Sequence, residues 1–200
     1  LICREVGLFS EHLAAGTGTF DLATSDTMVI ASAISYDGDV LIPVVAVKPE
    51  YGAWVDEGVY ENVTIDCPWQ GDLPNAMLIA TPDINECLVE RIDDETIRIT
   101  VPSLDLAGFI YVTDQPDRTD GIRTNLAAAV DSLAVFAVPA AAAQARVVNG
   151  VQWQAGFNTA GAALAQTAQR SARAFGAGDN AQAIREWRNT LRECRIETTR

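Results

Sequence analysis

The sequence predicts an α+β protein: an N-terminal helix, an antiparallel β-sandwich of about seven strands, and then a C-terminal all-helical segment. Two observations carry this prediction. Between Met28 and Asp114, short runs rich in β-branched residues alternate with turn signals, and no helical pattern separates them, which is typical of antiparallel sheets. After Asp114 the apolar residues recur every three or four positions and alanine dominates, which indicates helices.

The composition is that of a folded protein. Of the 200 residues, 48% are hydrophobic and 20% are charged, which excludes disorder along most of the chain. The net charge is -13, with 5 basic against 22 acidic side chains up to Gly121 and 9 against 5 after it. Such a charge opposes binding to nucleic-acid phosphates or to an anionic membrane surface. We therefore expect neither nucleic acid nor a membrane as a partner.

The opening helix, within residues 1–20, is predicted from Val6, Phe9 and Leu13, which recur at spacings of three and four. We expect this short amphipathic helix to complete an upstream domain of a longer chain. The first residue is leucine rather than methionine, so we expect an internal fragment of a longer chain. The first residues of the sequence lack the apolar stretch of a signal peptide. The compartment stays open, and an extracellular or periplasmic location is compatible with the sequence.

The β-sandwich is predicted over residues 21–118. Asp37-Gly38 forms the turn of a hairpin with strands at 28–36 and 39–47, because glycine tolerates the positive φ that a tight hairpin needs. Some later runs alternate apolar and polar residues, so each of those strands buries one face. These later predicted strands cover residues 62–67, 76–81, 87–91, 96–101 and 107–113.

The helical tail is predicted over residues 119–200. Asp120 is expected to cap a helix from Ile122 to Val138, and Pro139 to interrupt it, because proline lacks a backbone N–H. The apolar stretch from Leu126 to Ala145 is mostly alanine and contains an aspartate. It is therefore too weakly apolar to predict a transmembrane helix.

An αα-hairpin is predicted at 158–198. Gly176 and Gly178 end its first helix, and Asp179 caps the second. Several arginines lie on the second helix beside its apolar stripe. One alternative function is therefore a protein-interaction domain in which this basic tail docks on an acidic partner.

The cysteines show no zinc or redox motif, because no two of the four lie at close spacing. Cys67 and Cys87 both fall in or beside predicted strands. They could form a disulfide in an exported protein, but buried free thiols are the favoured interpretation.

No catalytic set is recognisable in the sequence. The only histidine, His12, lies on the opening helix, so a triad is improbable, and an exposed or interface histidine is expected instead. The only lysine, Lys48, precedes a proline rather than completing a phosphate-binding loop. Acids are too abundant for any pair to stand out, and those at 93–95 are typical of a solvated turn. We predict no catalytic residue, no metal and no cofactor in this segment.

Three aromatic residues are candidates for ligand binding: Tyr51, Trp54 and Trp69. Aromatic rings stack on the C–H faces of sugars, while nearby acids accept hydrogen bonds from hydroxyl groups. Packing in a core or an interface is the favoured alternative for these rings. The sequence therefore leaves open a carbohydrate-binding module that uses exposed aromatics.

The order of features resembles the C-terminal part of large bacterial glycoside hydrolase-like proteins. In those proteins the last helix of a (β/α)8 barrel leads into a small antiparallel β-sandwich. The segments that carry the resemblance are the helix Arg4–Leu13, Leu41-Ile42-Pro43-Val44, a Y-x6-G-x3-N pattern from Tyr51 to Asn62, Ile99-Thr100-Val101-Pro102, the strand Leu106–Thr113 and, more weakly, the helices around Gly178-Asp179. The resemblance implies an accessory region and carries over no catalytic residue.

The sequence thus predicts a non-catalytic accessory or structural β-sandwich region of a carbohydrate-active, glycoside hydrolase-like protein. Its expected partner is an upstream catalytic-type domain of the same chain, with carbohydrate as a second candidate. Phe9 and Leu13 are expected to serve as apolar anchors against that domain.

Overall fold

The computed structural model describes residues 7–19, 21–46, 59–154 and 161–199. They form two compact units, Leu1–Asn125 and Leu126–Arg200. The predicted α+β class is confirmed, with ten strands where about seven were expected. The strands are β1 Thr17–Thr19, β2 Ala23–Thr24, β3 Val29–Ala31, β4 Ala33–Tyr36, β5 Asp39–Ala46, β6 Tyr60–Pro68, β7 Asn75–Ala80, β8 Asp83–Arg91, β9 Thr96–Leu104 and β10 Ala107–Thr113. The helices are α1 Ser10–Ala15, α2 Pro116–Gln154, α3 Gly161–Gly176 and α4 Asn180–Thr199.

The strands form one curled antiparallel sheet in the first unit. Its order is β1-β4-β5-β10-β7-β8-β9-β6-β2, and β3 also pairs with β5. A backbone hydrogen bond of 2.8 Å from the Leu22 N–H to the Ala31 carbonyl links the chain before β2 to β3. The β6–β2 end of the sheet therefore curls back toward β3 and β5, which encloses one face as a core.

The predicted hairpin around Asp37-Gly38 is confirmed. Tyr36 pairs with Asp39 across the turn, and φ is +50° at Asp37 and +86° at Gly38, the left-handed values that this tight turn needs. The strand predicted at 28–36 is divided at Ser32 into β3 and β4, which both pair with β5. The hairpin leaves Asp39 at the start of a buried strand.

The enclosed face of the sheet holds the main core. Alternate residues of β6 and β9 face each other across the ladder and are at most 3% exposed, as their apolar-polar alternation predicted. These pairs are Val63 with Val101, Ile65 with Ile99, and Cys67 with Ile97. Deep burial of whole side chains on this face is the main source of the sheet's stability.

The opposite face of the central strands is also buried. Leu41 pairs with Tyr111, and Tyr111 with Met77, and none of the three is more than 2% exposed. Phe9, just before α1, is 1% exposed and packs on Phe109 and Tyr111 with ring centroids 5.5 and 5.8 Å apart. Phe9 therefore packs within this unit and is not an exposed anchor. That the opening helix completes an upstream domain stays a prediction.

Helix α2 departs from the sequence prediction at two points. It begins at Pro116, so Asp120 lies inside the helix and is not its cap; proline suits a first helical position because its missing N–H would have no partner there. Pro139 lies within the helix and does not end it. Alanine-rich flanks explain this, since their high helix propensity offsets the one hydrogen bond that proline removes.

Part of α2, Pro116–Val148, is long and apolar enough to cross a membrane, and a third of its most apolar window is buried. The expectation that the stretch from Leu126 to Ala145 is too weakly apolar for such a helix is therefore wrong. A buried helix of a soluble protein meets the same criteria of length and composition. The expectation that the chain has no membrane partner therefore stays a prediction.

The second unit packs α3 against α4 and the later part of α2. Ala145, Leu164 and Cys194 belong to its small apolar core. The buried Ser171 hydroxyl on α3 donates a hydrogen bond of 2.8 Å to the Ala183 carbonyl on α4. Some of the basic surface is neutralised locally, because Arg170 on α3 pairs with Glu186 on α4.

Replacing Asp179 with alanine should lower the free energy of unfolding of the helical unit by about 1 kcal/mol. Asp179 Oδ1 accepts a hydrogen bond of 3.0 Å from the Gln182 N–H, and the substitution leaves that donor without its protein partner. Helical circular dichroism during urea unfolding measures the loss. An asparagine at this position should retain most of the stability, and equal losses for both variants would contradict the capping role.

Candidate functional site

The most connected polar cluster of the first unit is centred on Asp39, which is 0% exposed. Asp39 Oδ2 accepts hydrogen bonds from the Tyr111 hydroxyl and from Arg118 Nη1. Arg118 also donates to Asp37, through Nη2 to the carboxylate at 2.7 Å and through Nη1 to the backbone carbonyl at 3.2 Å. We call these four residues the Asp39 cluster.

Three elements bring the Asp39 cluster together. Asp37 lies in the hairpin turn and Asp39 begins β5 directly after it, and Tyr111 lies on β10, the neighbour of β5. Arg118 lies in the first turn of α2, which follows β10 after a short connection. The cluster therefore joins the hairpin, the centre of the sheet and the start of α2.

The surroundings of Arg118 and Tyr111 determine their protonation. The bonds to Asp39 and Asp37 raise the pKa of Arg118 above its usual value. Burial raises the pKa of Tyr111, and its bond to Asp39 raises it further. At neutral pH the guanidinium therefore stays charged and the phenol stays protonated, so neither is suited to act as a base.

His12 lies beside the Asp39 cluster in an aromatic cage. Its ring centroid is 5.3 Å from that of Tyr36, 5.6 Å from Tyr111 and 6.1 Å from Phe9. Its Nε2 is buried and has no hydrogen-bond partner among the described residues, and the same is true of Asp39 Oδ1. Burial lowers the pKa of His12, although the nearby Asp39 opposes this effect. His12 is half-buried, so it is not a fully exposed histidine, and a role at an interface stays a prediction.

The stability of the first unit should fall as the pH drops below about 6.5, the usual pKa of histidine in an unfolded chain. Because burial lowers the pKa of His12 in the folded state, the unfolded chain binds the proton more tightly, and acid favours unfolding. Urea midpoints at pH 7.5 and pH 5.5 measure this loss. His12→Phe keeps an aromatic ring without a titrating group and should show a smaller drop; equal drops would contradict the assignment.

A second polar site is an open cleft of about 480 Å³ in the first unit, between β7–β8 and the first turns of α2. Leu73 and Leu88 line it and are 53% and 61% exposed. Glu86 on β8 and Arg123 on α2 also line it, and their side chains approach to 3.3 Å. We call this feature the β8–α2 cleft.

Of the three aromatic candidates, Trp69 is the one that lies among the described residues. Trp69 is 6% exposed and belongs to the main core, and its indole Nε1 donates a hydrogen bond of 2.8 Å to the Asp72 carbonyl. Its ring therefore packs in the protein in this structure. Tyr51 and Trp54 lie outside the described residues, so carbohydrate binding by these aromatics stays a prediction.

The thiols of Cys67 and Cys87 are free. They lie on β6 and β8, which are both neighbours of β9. Burial raises the pKa of Cys67 to about 12 and that of Cys87 to about 11, so both thiols are protonated and weakly reactive at neutral pH. Over the ranges that the structure covers, no group of three His, Cys, Asp or Glu side chains could hold a metal ion.

Comparison with known proteins finds partial structural likeness only. No protein-family model and no curated protein matches the chain. One similar solved structure is α-L-fucosidase isoenzyme 2 from Paenibacillus thiaminolyticus, with 13% identity and a TM-score of 0.34, covering 46% of this chain and 15% of that one. Another is a cycloisomaltooligosaccharide glucanotransferase from Paenibacillus sp. in complex with cycloisomaltoheptaose, with 9% identity and a TM-score of 0.37, covering 48% of this chain and 17% of that one. Both neighbours are carbohydrate-active enzymes, and the chain spans less than a fifth of either.

Proposed function

We propose that this chain is a non-catalytic accessory region of a carbohydrate-active, glycoside hydrolase-like protein. The observation that supports this proposal most is that the hydrogen bonds of the buried Asp39 carboxylate connect different elements of the fold. Its carboxylate binds Tyr111 and Arg118 and so ties α2 and the hairpin to the sheet. A buried acid that is occupied in this way supports the fold and is not free to react with a substrate.

Three other side chains that could react also lack an activated state. Cys67 and Cys87 are protonated thiols, and His12 Nε2 has no hydroxyl or thiol partner to activate. Support for the carbohydrate-active parent comes from the resemblance in the order of sequence features. An upstream catalytic-type domain is the partner that this proposal requires.

Turnover assays on the purified chain test the absence of catalysis. Aryl glycosides, soluble polysaccharides, aryl esters and aryl phosphates serve as substrates. We expect no release of product above that of buffer with any of them. Turnover that copurifies with the chain and is abolished by Tyr111→Phe would overturn the proposal, because this change removes only a hydroxyl group from the Asp39 cluster.

A further inference from the structure

We propose that the β8–α2 cleft is a binding site for an uncharged ligand rich in hydroxyl groups, in the chemical class of neutral oligosaccharides. The site differs from the three aromatic candidates and contains none of them. The inference rests on the proposed function only in that it assigns the accessory region a ligand-binding role.

The polar groups of the cleft keep unused hydrogen-bonding capacity. Glu86 Oε1 and Arg123 Nη2 are 3.3 Å apart, longer than the 2.7–2.9 Å of a strong charge-assisted pair. The Glu86 side chain is 85% exposed, and Asp120 adds a second carboxylate to the lining. A hydroxyl group can donate to either carboxylate and accept from the guanidinium, so a polyol matches both kinds of partner.

The cleft also offers apolar surface. Leu73 and Leu88 are more than half exposed, although both lie beside the polar groups that line the cleft. The C–H faces of a sugar ring can cover these side chains while its hydroxyl groups reach the polar ones. Removing the two leucines from water would contribute to binding in proportion to the area covered.

The size of the cleft also suits such a ligand. The volume of about 480 Å³ lies within the range of small-molecule sites, so a short oligosaccharide is a suitable size.

Other ligand classes fit the cleft less well. An anion would meet Glu86 and Asp120 in a chain of net charge -13, which repels it. An extended peptide could not extend the sheet here, because β7 and β8 each have a neighbouring strand on both sides. A purely apolar ligand would desolvate the charged groups without replacing their hydrogen bonds.

Titration of the full chain with cellohexaose, xylohexaose and maltohexaose, followed by amide chemical shifts, tests the site. We expect at least one of the three to shift amides of residues 73–77, 86–89 and 116–123. Glu86→Gln should weaken that binding about tenfold, which corresponds to the loss of one hydrogen bond to a charged group. Glu90→Gln is the matched control, because Glu90 is an exposed glutamate of the same strand that does not line the cleft.

The outcomes separate this proposal from the proposed function. The absence of shifts with all three hexasaccharides would overturn the cleft site and leave the non-catalytic role standing. Equal weakening by Glu86→Gln and Glu90→Gln would also overturn it, because a general charge effect would then explain the binding. Turnover of a hexasaccharide would contradict the non-catalytic role while leaving binding at the cleft intact.

Discussion

Replacing Asp39 with asparagine is expected to lower the free energy of unfolding of the first unit by about 2–4 kcal/mol. The change keeps the size of the side chain but removes the charge that Arg118 and Tyr111 share. Because Asp39 is 0% and Tyr111 2% exposed, water cannot replace the charged partner of the Tyr111 hydroxyl, whereas Arg118, whose side chain is 30% exposed, keeps contact with solvent. Urea unfolding followed by tryptophan emission measures the loss.

The matched control is Asp37→Asn. Asp37 binds the same guanidinium, but its side chain is 68% exposed, so water can replace the bond and the expected loss is about 0–1 kcal/mol. Asparagine also tolerates the positive φ at this turn position. Similar losses for the two variants would mean that the burial of Asp39 adds nothing to the free energy of unfolding.

Replacing Phe9 with alanine is expected to destabilise the first unit by about 3–5 kcal/mol, the usual cost of deleting a buried aromatic ring. Phe9 is 1% exposed and covers Phe109 and Tyr111 on the second face of the sheet. Without its ring, a cavity or water would lie over these side chains. The same urea experiment and near-ultraviolet circular dichroism measure the change.

Leu13→Ala is the control for Phe9, because Leu13 is four residues further along and 40% exposed. Its loss should stay below about 1 kcal/mol. If Phe9→Ala left the stability of this chain unchanged, Phe9 would not support the sheet, and its sequence-predicted role as an anchor for another domain would be favoured.

Local sequence patterns predicted much of the fold. Asp37-Gly38 predicted the hairpin because only certain residues accept the backbone of such a turn. The alternation around Ile65 and Ile99 predicted which side chains of β6 and β9 enter the core, since successive strand residues point to opposite faces. These features depend on neighbours in sequence, so composition and spacing were enough to identify them.

The Asp39 cluster could not be predicted in the same way. Asp39 lies 72 residues from Tyr111 and 79 from Arg118, and only strand pairing brings the three together. The one local signal is an acid at the first position of an apolar strand. An acid beside a turn is usually exposed to solvent, so this signal does not predict a buried carboxylate. The burial of Trp69 could not be predicted either, because nothing in the neighbouring sequence distinguishes a buried indole from an exposed one.

The position of Pro139 shows a further limit. Proline usually ends a helix because it removes one hydrogen bond and crowds the preceding turn. In α2 the flanking alanines favour the helix strongly enough for it to continue. The helix propensity of the longer segment therefore outweighed the effect of the single proline.

The most direct test of the scaffold role is a double-mutant cycle on Asp39→Asn and Arg118→Gln, measured as the free energy of unfolding. If the Asp39 cluster supports the fold, each single substitution destabilises the chain, and the interaction energy between the two substitutions is about 1–3 kcal/mol. Removing a residue kept for chemistry commonly stabilises a protein instead. A rise in stability for either variant, or an interaction energy near zero, would contradict the account.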